Sequence, residues 1–295
     1  MQIDFEPVNL DRQLDYLDHF AECSQMASDY SFVNLWGWAE EYGLFWAWTE
    51  NLVWIKQTRP EILFWAPVGP WESVNWNNYF EEYISDDILF TRVPEKLLQC
   101  WQMSIENRLT VEEARGHWDY LYSMSELVEL RGNRFHKKKN LLNQFKKNYD
   151  FKYVPFGTGL IDMAKAMQED WCTWRDCESS ELLSAENNAI SRILDSNEKL
   201  KGLTGAAVIV EQKIAAYTVA ETLKDDTLLI HFEKGNPDYK GVYQAINQIF
   251  LEHSNENLKT VNREQDLDNE GLRKAKLSYH PVDFIKKYRV RVLPD

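Results

Sequence analysis

The sequence predicts a mixed α/β protein made of two similar units, each with a mixed, mostly antiparallel sheet flanked by helices. Three observations support this prediction. Strand-like and helix-like patterns alternate along the chain, and the same order of elements occurs twice. In addition, 44% of the 295 residues are hydrophobic, which is enough apolar side chain for two cores. A mixed sheet with helices on both faces buries the apolar side of every such element.

The C-terminal half shows the pattern most clearly. FKYVPF, from Phe151, alternates as a strand does, and GLIDMAKAMQEDWCTW places Ile161, Ala164 and Met167 on one helix face. GAAVIVE and IAAYTVAE are separated by Gln212 and Lys213, a gap of hairpin length. The remaining elements are the helix SSELLSAENNAISRIL, the strand TLLIHFEK, the helix YKGVYQAINQIFLEH, the strand LKTVNRE, the helix EGLRKAKLS and the strand KYRVRVL.

The N-terminal half repeats this order of strand, two helices, three strands, helix, strand, helix and strand. SFVNLWGWAEEY predicts a helix that Ser31 opens, and GLFWAWTENLVWIKQ predicts a hairpin that turns near Glu50 and Asn51. The repeat, at a spacing of about 145 residues, predicts two domains. We expect them to span residues 1–149, including a basic linker helix at 133–148, and residues 150–295.

Charge and cysteine content narrow the function classes. The formal net charge of −14 repels polyanions, so binding of nucleic acid over the whole surface is disfavoured. Cys172 and Cys177 are five residues apart, which is poor spacing for one helix face, and we expect reduced, buried thiols and no metal site. The N-terminal stretch has no apolar signal core, and no run reaches the roughly 18 apolar residues of a membrane span. These features predict a cytoplasmic protein without integral membrane association.

Three segments carry a resemblance to a known family: DYLYSMSELVELRGNRFHKKKNLLNQFKKNY, HFEKGNPDYKGVYQAIN and VNREQDLDNEGLRKAKLSYHPVDFIKKY. They resemble an uncharacterised bacterial family related to the C-terminal domain of phosphatidylglycerol lysyltransferases. The element order resembles the acyl-CoA N-acyltransferase (GNAT) fold in tandem and, more distantly, the Fem-type transferases. This resemblance implies two tandem GNAT-like domains and transfer of an acyl or aminoacyl group. The membrane part of the lysyltransferases is absent, so we expect a small-molecule or peptide amine as acceptor.

In the fold that the resemblance implies, the third hairpin strand and the next helix hold the acyl donor, either acyl-CoA or aminoacyl-tRNA. The net charge disfavours tRNA. The corresponding segment here is GNPDYKG, between TLLIHFEK and the next helix. Gly235 and Gly241 permit close backbone approach, and Lys234 and Lys240 can pair with phosphates. The usual glycine-rich pyrophosphate signature is not present, so an ordinary turn with surface lysines remains the alternative.

Candidate catalytic residues follow from strand alternation. His231 and Glu233 share one face of TLLIHFEK, and Asn262 and Glu264 share one face of the next strand. If these strands are neighbours, the four side chains share a cleft. A carboxylate or histidine can remove the ammonium proton of an amine acceptor. The alternative is a polar cluster without catalytic function.

Two charged segments complete the candidate site. VNREQDLDNEGLRKAK, which contains Arg263, is interpreted either as a salt-bridged loop or as a functional loop. RGNRFHKKKNLLNQFKKN is the one strongly basic stretch, and Arg134, Lys137 and Lys138 within it are candidates to bind donor phosphates. A solvated helix face is the alternative for these residues.

The sequence therefore supports three functions, all centred on residues 233–241 and 262–266. The first is an acyl- or aminoacyl-transferase acting on a soluble amine. The second is a catalytically silent ligand-binding module of the same fold, since fold does not determine function. The third is an aminoacyl-tRNA-dependent transferase. The segment APVGPWESVNW, the N-terminal counterpart of the site, is apolar and predicts a structural or acceptor-side surface.

Overall fold

Two mixed sheets of seven strands, each flanked by helices, organise the described part of the chain. The computed structural model describes residues 3–84, 87–157, 159–224 and 226–294. The helices are α1 Gln13–Ala21, α2 Phe32–Tyr42, α3 Trp76–Tyr83, α4 Glu95–Ile105, α5 Met124–Glu129, α6 His136–Asn148, α7 Leu160–Arg175, α8 Glu181–Asp195, α9 Val242–Glu252 and α10 Glu270–Leu277. The strands are β1 Glu6–Pro7, β2 Leu44–Trp48, β3 Val53–Gln57, β4 Leu63–Val68, β5 Ile88–Pro94, β6 Leu109–Glu113, β7 Asp119–Ser123, β8 Phe151–Pro155, β9 Leu203–Val210, β10 Lys213–Leu223, β11 Thr227–Gly235, β12 Thr260–Asn262, β13 Asp283–Ile285 and β14 Lys287–Val292.

The strand order is β1-β2-β3-β4-β5-β14-β6 in the first sheet and β13-β7-β12-β11-β10-β9-β8 in the second. The pairs β4 with β5 in the first sheet and β11 with β12 in the second are parallel, whereas β2 with β3 and β10 with β11 are antiparallel. The predicted class, α/β with mixed and mostly antiparallel sheets flanked by helices, is confirmed. Strands β6 and β13 were not predicted from the sequence.

The chain forms two compact units, and both are discontinuous in sequence. Unit 1 comprises Met1–Asp119, Gln265–Arg273 and Phe284–Asp295, and unit 2 comprises Tyr120–Glu264 and Lys274–Asp283. Compared with the predicted division at residue 149, residues 120–149 lie in unit 2, and residues 265–273 and 284–295 lie in unit 1. The hydrogen-bonding partners of two strands account for the first and last of these segments: β7 pairs with β12 of the second sheet, and β14 pairs with β5 and β6 of the first.

Local sequence signals set several element boundaries. The Ser31 hydroxyl accepts a hydrogen bond from the Asn34 amide and so caps α2, as predicted. The hairpin between β9 and β10 turns at Glu211 and Gln212, one residue earlier than predicted, and both residues adopt the left-handed conformation with φ of 49° and 64°. Positive φ at both positions matches the twist of a tight hairpin, although neither residue is a preferred one there.

Large aromatic side chains fill the core of unit 1. Trp46, Trp54, Trp71, Trp76 and Trp101 are all at most 2% exposed. Buried aromatic residues remove about 150–250 Å² of surface each and dominate the energetics of a core. The tryptophan-rich sequence of the N-terminal half is therefore explained by packing.

In unit 2, α6 and α9 pack together over one face of the second sheet. Phe135, Leu142 and Phe145 contact Val242 and Ile246 in one buried cluster. Gly241 precedes α9 with a φ of 86°, and a Cβ placed there would lie 2.2 Å from the Leu141 carbonyl oxygen. Gly241 is therefore required for the close approach of α9 to α6, which is a structural reason for this glycine.

The expectation of reduced thiols is wrong for one pair of cysteines. Cys172 and Cys177 form a disulfide, and their Cα atoms are 5.1 Å apart. Helix α7 ends at Arg175, and Asp176 adopts the left-handed conformation with a φ of 52°. This reversal brings together two residues that a continuous helix would keep apart, whereas Cys23 and Cys100 are free.

Unit 1 contains a network of fully buried charges. The Lys287 ammonium lies between the carboxylates of Asp29 and Asp119, at 2.6 Å from Asp119 Oδ1, and Arg92 forms an ion pair with Asp29. Ser28 donates to Asp119 from its hydroxyl at 2.7 Å and from its amide at 2.8 Å. Burial alone would raise the pKa of Asp29, but Lys287 and Arg92 lower it well below its ordinary value. Two acidic and two basic groups thus compensate each other away from water.

Replacement of Lys287 with Met should destabilise the protein strongly, because it removes the cation between two buried carboxylates. Breaking one partner of a buried ion pair costs about 3–5 kcal/mol. The free energy of unfolding in guanidinium chloride measures this effect. Lys286→Met is the matched control, because the half-exposed Lys286 pairs with Glu95 at 3.4 Å and should contribute less than about 1 kcal/mol. Equal unfolding midpoints for the two variants would contradict the prediction.

Candidate functional site

The candidate site lies where the parallel pairing of β11 with β12 in unit 2 ends. Thr227, Leu228 and Leu229 of β11 pair with Thr260, Val261 and Asn262 of β12, where β12 ends, and β11 continues to Gly235. Crevices at the carboxyl ends of parallel strands are common ligand sites, because the strand ends leave backbone and side-chain groups unpaired with each other. His231 and Glu233 lie on this continuation of β11, and Arg263 and Glu264 follow the end of β12.

The His231 imidazole lies between two carboxylates, beyond the last paired residues of β11 and β12. Its Nδ1 lies 3.0 Å from Glu264 Oε1, and its Nε2 lies 3.0 Å from Glu221 Oε1 on β10. The imidazole is fully buried, whereas the Glu264 side chain is 18% exposed. Burial lowers the pKa of His231, but the ion pair with Glu221 and the hydrogen bond to Glu264 outweigh it and raise the pKa to about 9. At neutral pH this group is therefore an imidazolium that holds Glu264 in place.

A tight turn positions Glu264. The Asn262 side-chain oxygen, which is buried, accepts a hydrogen bond of 2.8 Å from the Glu264 amide. Glu264 has a φ of 55°, the left-handed region that side chains other than glycine rarely adopt. Such conformations persist where surrounding contacts impose them, and they are concentrated at functional sites. The structure thus brings His231, Asn262 and Glu264 together, as the alternation of the two strands predicted.

Glu233, the fourth candidate, faces a different partner. Its carboxylate forms an ion pair with Arg263 and accepts a hydrogen bond of 2.9 Å from Asn247 Nδ2 on α9. The second terminal nitrogen of Arg263, Nη1, is buried and has no hydrogen-bond partner among the described residues. An unsatisfied buried donor costs free energy that an acceptor oxygen of a ligand can recover. Glu233 therefore fixes one end of a guanidinium whose other end is unsatisfied.

Aromatic rings surround this arginine, and one of them also contacts the basic helix. The Arg263 guanidinium carbon lies 4.9 Å from the centre of the Tyr279 ring and 5.8 Å from that of Tyr122. Lys138 of α6 places its ammonium 4.0 Å from the centre of the same Tyr279 ring. Burial, together with the nearby Arg263, lowers the pKa of Lys138 to about 8. The Lys276 ammonium donates to the Arg263 carbonyl oxygen.

Lys234 points to the opposite face of the second sheet. Its ammonium is 2.6 Å from Glu186 Oε2 on α8 and 3.8 Å from the centre of the Trp171 ring on α7. Burial lowers the pKa of Lys234 against the influence of Glu186. The lysine is thus enclosed by its own protein, which does not resemble a cation offered to a donor phosphate.

The other predicted donor-binding residues are distributed differently. Gly235 is the last residue of β11, and Gly241 allows α9 to pack closely against α6. The backbone amide of the exposed Lys240 donates a hydrogen bond of 3.2 Å to the Tyr149 hydroxyl. Arg134 pairs with Glu126, and Lys137 is exposed. Of the eight residues predicted to bind a donor, Arg263 and Lys138 are the two that meet at one aromatic ring.

The corresponding position in unit 1 is closed by a tyrosine. There, Phe64 and Trp65 of β4 pair with Phe90 and Thr91 of β5. The fully buried Tyr30 hydroxyl then accepts from the Ala66 amide at 2.9 Å and donates to the Arg92 carbonyl at 2.9 Å. The protein's own side chain thus links the two parallel strands directly beyond their last paired residues.

Sequence reasoning missed three groups of the unit 2 site: Glu221, Asn247 and Tyr279. Glu221 is the single acidic residue in the otherwise apolar strand IAAYTVAE, and that isolation was a usable signal. Asn247 is likewise a buried polar residue in an apolar helix. Tyr279 follows α10 in a segment without periodicity, and no local pattern indicates its place.

Comparisons with known proteins identify the family. The family model described as the C-terminal domain of phosphatidylglycerol lysyltransferase matches residues 20–291. The chain belongs to this family. An uncharacterized protein of Mycoplasmoides gallisepticum is 28% identical over 178 residues, which cover 59% of this chain and 56% of that protein. The lysyltransferase-family chain thus matches little more than half the length of this relative.

Solved structures of other proteins share the fold. A conserved protein of unknown function from Bacteroides thetaiotaomicron superposes with a TM-score of 0.89 at 28% identity, covering 99% of this chain and 100% of that one. The C-terminal domain of a putative lysylphosphatidylglycerol synthetase from Agrobacterium fabrum has a TM-score of 0.64 at 13% identity, covering 95% and 92%. The second likeness concerns the fold alone.

The described residues contain no helix that is both long and apolar enough to span a membrane. They also contain no group of three or more His, Cys, Asp or Glu side chains arranged to hold a metal ion.

The stabilising effect of His231 should depend on pH. Its pKa rises from an ordinary value near 6.5 to about 9 in the folded protein, so its contribution is complete below about pH 6.5 and disappears as pH rises through about 9. Near pH 7 the contribution is on the order of 2–3 kcal/mol. The difference in unfolding free energy between wild type and His231→Gln should therefore shrink between pH 7 and pH 10. His136→Gln, at an exposed position, is the control; a difference independent of pH would contradict the raised pKa.

Proposed function

We propose that this lysyltransferase-family protein is an acyl- or aminoacyl-transferase that acylates a soluble amine. Its site lies in unit 2, where the parallel pairing of β11 with β12 ends. Glu264 receives the acceptor and its proton. His231 and Asn262 position Glu264. The donor is a phosphorylated acyl carrier, either acyl-CoA or aminoacyl-tRNA, bound on the side of Arg263.

The observation that carries this proposal is the Glu221–His231–Glu264 group. Two carboxylates and one imidazolium leave one net negative charge at the site, on the side where Glu264 is partly exposed. A partly exposed carboxylate held by a buried cation is suited to bind an ammonium group, because the charged pair is strongest where water is partly excluded. The family supports acyl transfer as the class of reaction.

The chemistry requires two protons to leave the acceptor nitrogen. The ammonium loses the first to the Glu264 carboxylate, and the neutral amine attacks the carbonyl carbon of the donor ester or thioester. A C–N bond forms as the C–O or C–S bond breaks, and the leaving oxygen or sulfur takes up the second proton, which the attacking nitrogen loses. His231 remains protonated throughout, so its task is positioning. A base placed in this way contributes about 10²–10⁴-fold to the rate.

Unit 1 differs from unit 2 at the matching position. Tyr30 occupies the place between its parallel strands, and the neighbouring charges of Arg92 and Asp29 compensate each other. This contrast supports a single donor-binding site per chain, in unit 2.

Replacement of Glu264 with Gln should lower acyl transfer by at least about 100-fold, because the amide keeps the shape of the side chain but cannot accept the proton. Transfer is measured by mass spectrometry with an amine panel, using acetyl-CoA in one arm and lysyl-tRNA in the other. Glu252→Gln, at an exposed position on α9, is the matched control and should keep the wild-type rate.

The two donors give separable outcomes. Transfer from one donor that Glu264→Gln abolishes supports the proposal and identifies the donor class. Transfer that Glu264→Gln leaves unchanged refutes the role of Glu264. No transfer by the wild type from either donor refutes the enzymatic proposal and favours the catalytically silent binding module.

A further inference from the structure

We infer that Arg263 and Lys138 form a phosphate-binding site around Tyr279, with Lys276 beside it. The inference rests on the proposed function only for the identity of the ligand, which would be the phosphate of the acyl donor. The site combines three elements of unit 2: the end of β12, helix α6 and the segment after α10.

Convergence of charge is the first argument. Arg263 and Lys138 contact the same Tyr279 ring, at 4.9 Å and 4.0 Å from its centre. The Lys276 ammonium reaches the Arg263 carbonyl oxygen. Glu233 is the carboxylate that neutralises Arg263, and no carboxylate pairs with Lys138 among the described residues. The protein has a net charge of −14, yet Arg263 and Lys138 give an excess of positive charge around the Tyr279 ring. Such a local excess attracts an anion.

Unused hydrogen-bonding capacity is the second argument. The Arg263 fork is rigid and planar, and Glu233 occupies one terminal nitrogen while Nη1 has no partner among the described residues. A guanidinium is suited to bind two oxygens of a phosphate, and an ammonium adds a third contact as a point charge. A phosphate dianion supplies three equivalent oxygens for these groups, whereas a carboxylate supplies two.

The structure also separates Lys138 from its neighbours. Lys137 and Lys139 are exposed, whereas Lys138 is half-buried against Tyr279. Burial and the repulsion of Arg263 lower the pKa of Lys138 to about 8. A bound anion would stabilise the charged form of this lysine. The basic stretch of the sequence thus contributes one residue to the site and not its whole charge.

Calorimetric titration with inorganic pyrophosphate at low ionic strength tests the site. Wild type should bind, and Lys138→Gln should weaken binding by at least about fivefold, since a hydrogen-bonded charge contributes more than a solvated one. Lys137→Gln removes the same charge from an adjacent, exposed position and should change the affinity by less than about twofold. Circular dichroism and the unfolding midpoint establish that both variants are folded.

Arg263→Lys keeps the charge but loses the planar fork. It should weaken pyrophosphate binding by at least about fivefold as well. Equal affinities of wild type, Lys138→Gln and Arg263→Lys would overturn the site, and so would a wild type that does not bind pyrophosphate. Transfer activity with unchanged pyrophosphate affinity in Lys138→Gln would overturn the site and leave the proposed function intact. Pyrophosphate binding that depends on Lys138, without transfer from any donor, would support the phosphate site and overturn the proposed function.

Two further arms distinguish the source of the phosphate. Titration with coenzyme A and with a short RNA ending in CCA is compared in wild type and in Lys138→Gln. The ligand class whose affinity falls with Lys138 is the one that the site serves. If the affinity of neither ligand changes in Lys138→Gln, the assignment of the site to the phosphate of the acyl donor is overturned.

Discussion

The parallel pairing of β11 with β12 ends after a few residues, and the candidate site depends on this feature. Backbone groups beyond the last pair need other partners, because buried donors and acceptors without them are costly. Unit 1 meets the same need with the Tyr30 hydroxyl, which joins Ala66 to Arg92. Unit 2 meets it with the Lys276 ammonium on the Arg263 carbonyl and with the turn at Glu264. A neutral hydroxyl closes the first position, whereas charged groups occupy the second and offer contacts to a ligand.

Buried charged groups have different roles in the two units: they form a compensated ion network in unit 1 and a candidate binding site in unit 2. In unit 1, Asp29 and Asp119 balance Arg92 and Lys287, and Lys287 and Asp119 have no exposed surface. Such a network is strongly destabilised when one member is lost, and it has no capacity left for a ligand. In unit 2, Glu264 and Arg263 are 18% and 17% exposed, and Arg263 Nη1 has no hydrogen-bond partner among the described residues. Incomplete satisfaction next to solvent is what distinguishes a site from a structural ion cluster.

Family membership and site chemistry answer different questions. The fold persists at 13% identity in the putative synthetase domain, because packing tolerates substitution as long as volume and pattern are kept. An activity depends on a few side chains, so the fold alone does not transfer it. The proposed acyl transfer therefore depends on His231, Glu264 and Arg263, and it is a reaction class that the family supports.

The amino-acid sequence is enough to predict the class of the fold, most of its elements and the shared faces of His231 with Glu233 and of Asn262 with Glu264. These follow from local periodicity and capping, which act within a few residues. Tertiary structure decided that β14 joins the first sheet, that Cys172 and Cys177 pair, that Glu233 binds Arg263, and that Lys138 rather than Lys137 reaches Tyr279. Those outcomes depend on the direction of side chains and strands after distant segments have packed. Local periodicity specifies which face of an element is polar, but the neighbour that this face meets is selected by the packing of the whole unit.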